Sequence, residues 1–290
     1  PAGHEACPER SRRAEGETRQ DHTQRPRSRR EALGPLPEIS EKWPRAALPN
    51  THQPAQTLCN DVPTTAKPTL APPLATAQAA RKGRLNFLYS PNQFRPTPPT
   101  FGSPAFLEDL REVVEIQKSL TEDQLRIAKF WVDGHGSVTP AGHWNQIAIE
   151  ESLAAGFDDA ESVALFADLN MALADTFVAA WDCKYHYWTV RPVTAAKQLL
   201  GIDYTPAILT PAFPSYVSGH AAFSGAAAEV IATYVPARAE AIRVMASEAA
   251  YSRLLGGIHY RHDNDDGLVL GRETASAVLR GNSKSRERRQ

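Results

Sequence analysis

From residue 105 onward the apolar residues recur at helical spacing; before it they do not. Phe106, Leu110, Val113, Val114 and Ile116 share one face of a helix predicted over 105–120, opened by Ser103 as N-cap and Pro104 at its first position. Thr121-Glu-Asp-Gln124 is a capping box that starts a second helix, running through Trp131 and stopping near Gly134. A third is expected over 141–155, ended by Gly156. The next, from Asp158 towards Val190, turns Val163, Leu165, Phe166, Leu169, Leu173, Phe177, Ala180 and Trp181 mainly inward until Arg191-Pro192 interrupts it. An Ala-rich run over 221–235 and a helical composition over 238–255 follow. Gly256-Gly257 then break the pattern, and 267–279 makes a last helix. Alternating strand patterns are nearly absent, so the expected fold class is all-α, a helical bundle.

Composition changes this picture only at the ends. Seventeen of the 23 prolines precede Ala105, and residues 1–100 pass from Arg-rich to Pro/Thr/Ala-rich sequence without an apolar face. They read as a disordered tail, with 101–283 as the helical domain and 284–290 as a short charged tail. A formal net charge of −1 argues against a general polyanion binder. The basic cluster 25–30 is therefore read as solvated, and no nucleic-acid partner is expected. Cys7, Cys59 and Cys183 are too scattered for a disulfide framework or a metal cluster. No apolar run approaches the ~20 residues of a membrane span. The best candidate, 221–235, is short and contains Glu229. With no signal-peptide pattern either, a soluble protein is expected. Compartment and any homo-oligomer stay open.

Chemistry concentrates in three blocks. Lys184 and Arg191, seven residues apart, would lie on one helix face beside Tyr185, Tyr187 and Trp188. Two aligned cations are costly to bury unless an anion lies between them, although both could instead snorkel to solvent. Ser218-Gly219-His220 stands at the mouth of a helix, where unpaired backbone N–H groups and the helix dipole favour an anion. The third block has Arg253 at a helix end, then Gly256-Gly257, His259 and, four residues on, Asp263, placed to hold the His259 ring in one tautomer. His262 is given no role. Together these residues suit a tetrahedral oxyanion: guanidiniums chelate its oxygens, and Lys, amide and hydroxyl complete the shell. One imidazole can bond the central atom while the other moves protons.

The order and spacing Lys184…Arg191-Pro192, Pro214…Ser218-Gly219-His220 and Ser252-Arg253…His259…Asp263 resemble the three motifs of the vanadium haloperoxidase and type 2 phosphatidic acid phosphatase (PAP2) superfamily. Phe213-Pro214, His220-Ala-Ala-Phe223, Trp181 and His259-Tyr-Arg261 look closer to its soluble, chloroperoxidase-like branch. Phe130-Trp131-Val-Asp133-Gly134 resembles an upstream segment of that branch. Asp133 would then be the carboxylate that hydrogen-bonds the acid–base His220. The resemblance covers roughly 105–280 and implies the fold of that superfamily.

It also implies a vanadate cofactor held by His259, its oxygens bound by Lys184, Arg191, Ser218, Gly219 and Arg253. His220 would deprotonate hydrogen peroxide, and Lys184 would polarise it towards halide attack, releasing hypohalous acid. Phe213 and Trp181 would line the halide side, and Phe213 resembles the chloroperoxidase pattern. Two departures stand out: a Pro-rich stretch where the soluble enzymes have a further helical bundle, and no membrane helices of the phosphatase branch. Phosphate could occupy the same site. An acid phosphatase acting on phosphomonoesters through a phosphohistidine on His259, and a non-catalytic anion-binding remnant, are therefore the alternatives.

Overall fold

A computed structural model describes residues 83–287 except His135, with side chains up to residue 283. Contacts divide the chain into Pro1–Pro49 and Asn50–Gln290, and every described residue lies in the second unit. The expectations for residues 1–82 and for the charged end, including the basic cluster, Cys7 and Cys59, fall outside the described residues.

Among the described residues there are helices and no strands. α1 is Pro104–Lys118, α2 Glu122–Phe130, α3 Thr139–Ala155 and α4 Asp159–Tyr187; α5, Pro192–Ala195, runs into a π-turn at Ala196–Leu200. α6 is Gly219–Tyr234, α7 Ala239–Leu255 and α8 Arg261–Glu287. The starts of α1, α2 and α4 are those written in the sequence. Ser103 caps α1, and capping boxes at Thr121 and Asp158 open α2 and α4. Gly156, at φ 72°, closes α3.

α6 is the central rod. Its Ala-rich surface is buried on nearly every side, by α8, α7 and α4 above all. The approach to α8 depends on glycine. A Cβ at Gly271 would overlap the Ala222 carbonyl and the Ala226 amide, and one at Gly225 would overlap the Leu268 carbonyl. Gly267 and Gly271 therefore lie inside α8, which begins at Arg261 rather than at 267 as the sequence suggested.

Three further expectations are corrected. Val163 is 70 % exposed, because α4 has only its inner face covered at that end. Order starts well before residue 103. The Asp175 carboxylate accepts from the backbone N–H groups of Asn86, Phe87 and Leu88 at 2.7–3.1 Å, Arg95 pairs with Asp182, and Leu88 joins the core. Residues 83–100 are thus a strap along α4. Nor is 221–235 the best membrane candidate: the stretch Asp159–Leu200 is long and apolar enough to cross a bilayer. Over half of its most apolar window is buried inside the domain, and Asp168, Asp175 and Asp182 are buried on it, which makes it a core helix.

Candidate active site

Three stretches far apart in sequence meet at the N-terminal end of α6. Ser218, extended at φ −64° and ψ 120°, accepts from the Ala221 N–H with its hydroxyl, so the helix starts at Gly219. Its own N–H donates to the Asp263 carbonyl at 2.9 Å, which ties the mouth of α6 to the start of α8. The first-turn amides of α6 have no intrahelical acceptor and carry the positive end of the helix dipole.

The loop leading to Ser218 is fastened by Lys184. This ammonium, 2 % exposed, donates to the carbonyls of Pro214 (3.0 Å), Ser215 (2.9 Å) and Val217 (2.6 Å). The sequence reading put Lys184 directly on the oxyanion; here all three of its protons are engaged by the loop. The helix-face alignment of Lys184 with Arg191 is also absent. α4 ends at Tyr187, Trp188 takes a left-handed conformation (φ 51°), and Arg191 follows in extended chain. The two cations converge instead on Phe213, whose ring centroid is 5.2 Å from the Lys184 Nζ and 4.9 Å from the Arg191 guanidinium.

Arg191 joins the blocks. Its Nε donates to the Phe213 carbonyl at 2.9 Å, and its Nη1 faces the Ile258 carbonyl at 2.8 Å and His259 Nε2 at 3.0 Å. Its Nη2 is buried without a partner. His259 Nδ1 lies 2.7 Å from Asp263 Oδ2. A carboxylate only accepts and a guanidinium only donates, so the network assigns the His259 proton to Nδ1 and leaves the lone pair on Nε2. Asp263 Oδ2 also accepts from the Ser215 hydroxyl at 2.5 Å. Ser215 went unnoticed in the sequence, although it sits two residues from Phe213; only the count of donors around Asp263 reveals it.

His220 Nε2 is likewise buried without a partner. Burial, then the charges of Arg253 and His259, hold its pKa well below 6.5, so the ring is neutral at pH 7. The nearby Val132 carbonyl opposes this shift but does not reverse it. Burial and Arg191 depress His259 in the same way. Arg253, 1 % exposed, donates from Nε to Ser252 Oγ and from Nη2 to the Ala128 carbonyl, both at 2.9 Å. Asp133 does not take the role expected of it. Its two carboxylate oxygens lie 3.1 and 3.0 Å from Nδ1 of His143, a residue the sequence reading passed over. The reason is local: Asp133 has φ 41° and His143 stacks on Trp131 at 4.7 Å, which presents the imidazole to the carboxylate. Trp181 meets Phe213 at 5.0 Å between centroids and stacks on Tyr185, giving an aromatic wall beside the cations.

Lys184, Arg191 and Arg253 are all buried. Burial drives the Lys184 pKa well below its ordinary value and each arginine to about 10, which is the electrostatic strain an anion would relieve. The unpartnered Arg191 Nη2, the first-turn amides of α6 and the His259 Nε2 lone pair, which here accepts from Arg191 Nη1, are groups that suit a four-oxygen anion such as vanadate or phosphate.

Residues 164–287 match the family model of the PAP2 superfamily. A solved bacterial vanadium-dependent iodoperoxidase is similar at 31 % identity and a TM-score of 0.64, over 70 % of this chain and 56 % of that one. A holo-type bacterial vanadium-dependent chloroperoxidase has the same fold, at 16 % identity and a TM-score of 0.58, over 70 % of this chain and 53 % of its own. The chain thus spans little more than half the length of these relatives. None of the curated proteins matches it significantly.

Proposed function

We propose, for a chain whose residues 164–287 match the PAP2 superfamily and that folds as the vanadium haloperoxidases do, the activity of a vanadate-dependent haloperoxidase, oxidising halide with hydrogen peroxide to hypohalous acid. The observation that carries this reading is the meeting of a clamped His259 with the unpartnered Arg191 Nη2 and His220 Nε2, beside the aromatic wall of Phe213 and Trp181. The identity to an iodoperoxidase supports it.

Bound vanadate would supply the Lewis acidity that activates peroxide, and the peroxide itself would be the two-electron oxidant of the halide. His259 Nε2 would hold it, its lone pair kept available by the Asp263 bond at Nδ1. Arg191, Arg253, the Ser218 hydroxyl and the Gly219 amide would bind its oxygens. Lys184 contributes charge and fixes the loop that carries Ser218. His220, neutral because it is buried, accepts a proton from peroxide at Nε2. Phe213 and Trp181 keep water from the halide side.

The same clamped imidazole suits nucleophilic attack on a phosphomonoester. His259 Nε2 would bond phosphorus while His220 protonates the departing alcohol. The test is paired. The purified chain is assayed for peroxide- and halide-dependent halogenation of a cyclic dione with added orthovanadate, and for hydrolysis of an aryl phosphate. Halogenation that needs vanadate and is lost in His259→Ala supports the proposal. Phosphate hydrolysis alone replaces it with the phosphatase, and oxyanion binding with neither activity replaces it with an anion-binding remnant.

A further inference from the structure

His262 lies behind the His259–Asp263 pair, 2 % exposed, with a carboxylate at each ring nitrogen. On one side, Asp109 Oδ2 of α1 is 2.6 Å from Nδ1 and 3.0 Å from the His262 backbone N–H. On the other, Asp263 Oδ1 is 3.4 Å from Nε2. Carboxylates only accept, so Nδ1 carries a proton for Asp109, and Nε2 faces a second carboxylate, a placement that favours the doubly protonated ring. Its surroundings suit a cation. Tyr260 stacks on it at 5.0 Å and 9°, and Phe106 and Tyr216 lie tilted at 5.9 and 6.0 Å. Burial pushes the His262 pKa down, but the hydrogen bond to Asp109 and the charges of Asp263, Asp109 and Asp266 outweigh it and raise the value.

The asymmetry of Asp263 shows what this cation does. Ser215 Oγ, His259 Nδ1 and the Tyr260 N–H all converge on Oδ2. Oδ1 is fully buried and has no hydrogen-bond partner. His262 Nε2, beyond ordinary hydrogen-bond length, is the cation facing that oxygen. A buried carboxylate with one oxygen unpartnered and no cation facing it would rotate to satisfy that oxygen, and rotation would release the His259 ring.

We propose that His262, held by Asp109, is a positioning residue that keeps the Asp263 carboxylate in register, so that His259 presents Nε2 to the bound oxyanion. The chain Asp109–His262–Asp263–His259 then links α1 to the reaction site, and α1 becomes part of the catalytic support. This rests on the oxyanion site described above, but its test does not depend on which reaction the site performs.

His262→Phe keeps an aromatic ring among Tyr260, Phe106 and Tyr216 while removing both protons. Asp109→Asn keeps shape and removes the anchoring charge. Two measurements are made on the full chain. In the anion-free protein, 15N-resolved NMR of the imidazoles reads the His259 tautomer: wild type gives the Nδ1–H form, and His262→Phe gives a mixture of the two. Titration calorimetry with orthovanadate, and separately with inorganic phosphate, should show affinity weakened about 10- to 100-fold in His262→Phe, and less in Asp109→Asn. Circular dichroism establishes that both variants are folded, and if His262→Phe is not, Asp109→Asn carries both readings. A folded variant with the wild-type His259 tautomer overturns the proposal, whatever the anion titration gives. A wild type that shows the Nδ1–H form yet binds neither anion sinks the proposed function and leaves the positioning role standing.

Discussion

Arg191 concentrates the site's chemistry in one side chain, with three nitrogens in three tasks: Nε to the Phe213 carbonyl, Nη1 to Ile258 and His259, and Nη2 free for a ligand. Lysine has no planar fork, so Arg191→Lys should keep the charge yet weaken orthovanadate binding at least about tenfold, read by calorimetry. Unchanged affinity would remove Arg191 from the ligand set. His220 gives a pH signature. Its folded pKa lies well below 6.5, so in acid the unfolded chain binds a proton that the folded one refuses. Its contribution to stability is present above about pH 6.5 and falls as pH drops below that value. His220→Gln should therefore flatten the loss of melting temperature between pH 7 and 5 relative to wild type, and parallel curves would contradict the buried neutral ring. The motif residues His259, Asp263, Arg191 and Arg253 were legible because their spacing is itself the signal. His143 and Ser215 were not, because each acts on a residue distant in sequence or turned by local backbone.

Among the elements, the contact of α6 with α8 is the most demanding. Gly271→Ala would drive a methyl into the Ala222 carbonyl and the Ala226 amide, which are backbone and cannot move aside singly. A loss of about 2–3 kcal/mol is expected from overpacking, measured by urea unfolding, with loosened anion binding because α8 carries Asp263. Little or no loss would mean that the two helices can separate at low cost. The glycines that permit this approach are also why the sequence reading began α8 too late: in isolation they look like breakers, and only a neighbouring backbone explains them. The loop 211–218 depends equally on one cation. Lys184→Met preserves length but strands three carbonyls, so a loss of about 3 kcal/mol is expected in the same measurement. A variant as stable as wild type would show that the ammonium does not fasten the loop.

At the scale of the domain, the strap 83–100 is held along α4 by the Arg95–Asp182 pair, by Leu88 in the core and by the Asp175 carboxylate, which alone takes three backbone N–H groups. Asp175→Leu removes the acceptor of three backbone amides, and protease cleavage within the strap should accelerate at least about tenfold, followed by gel electrophoresis; an unchanged rate would deny Asp175 that role. The amino-acid sequence by itself determined most of the helices, the caps at Ser103, Thr121 and Gly156, and the three motif blocks that meet at α6, since capping, apolar periodicity and motif spacing are local properties read within a turn or two. Tertiary structure decided the rest. It turned Lys184 to the loop carbonyls, gave Asp133 to His143, set His262 between two carboxylates and laid a Pro-rich segment along α4. Each of these pairs atoms 10 to 153 residues apart, or depends on what burial leaves without a partner. No local pattern holds that information, because the cost of an unpaired buried group exists only once the chain has closed around it.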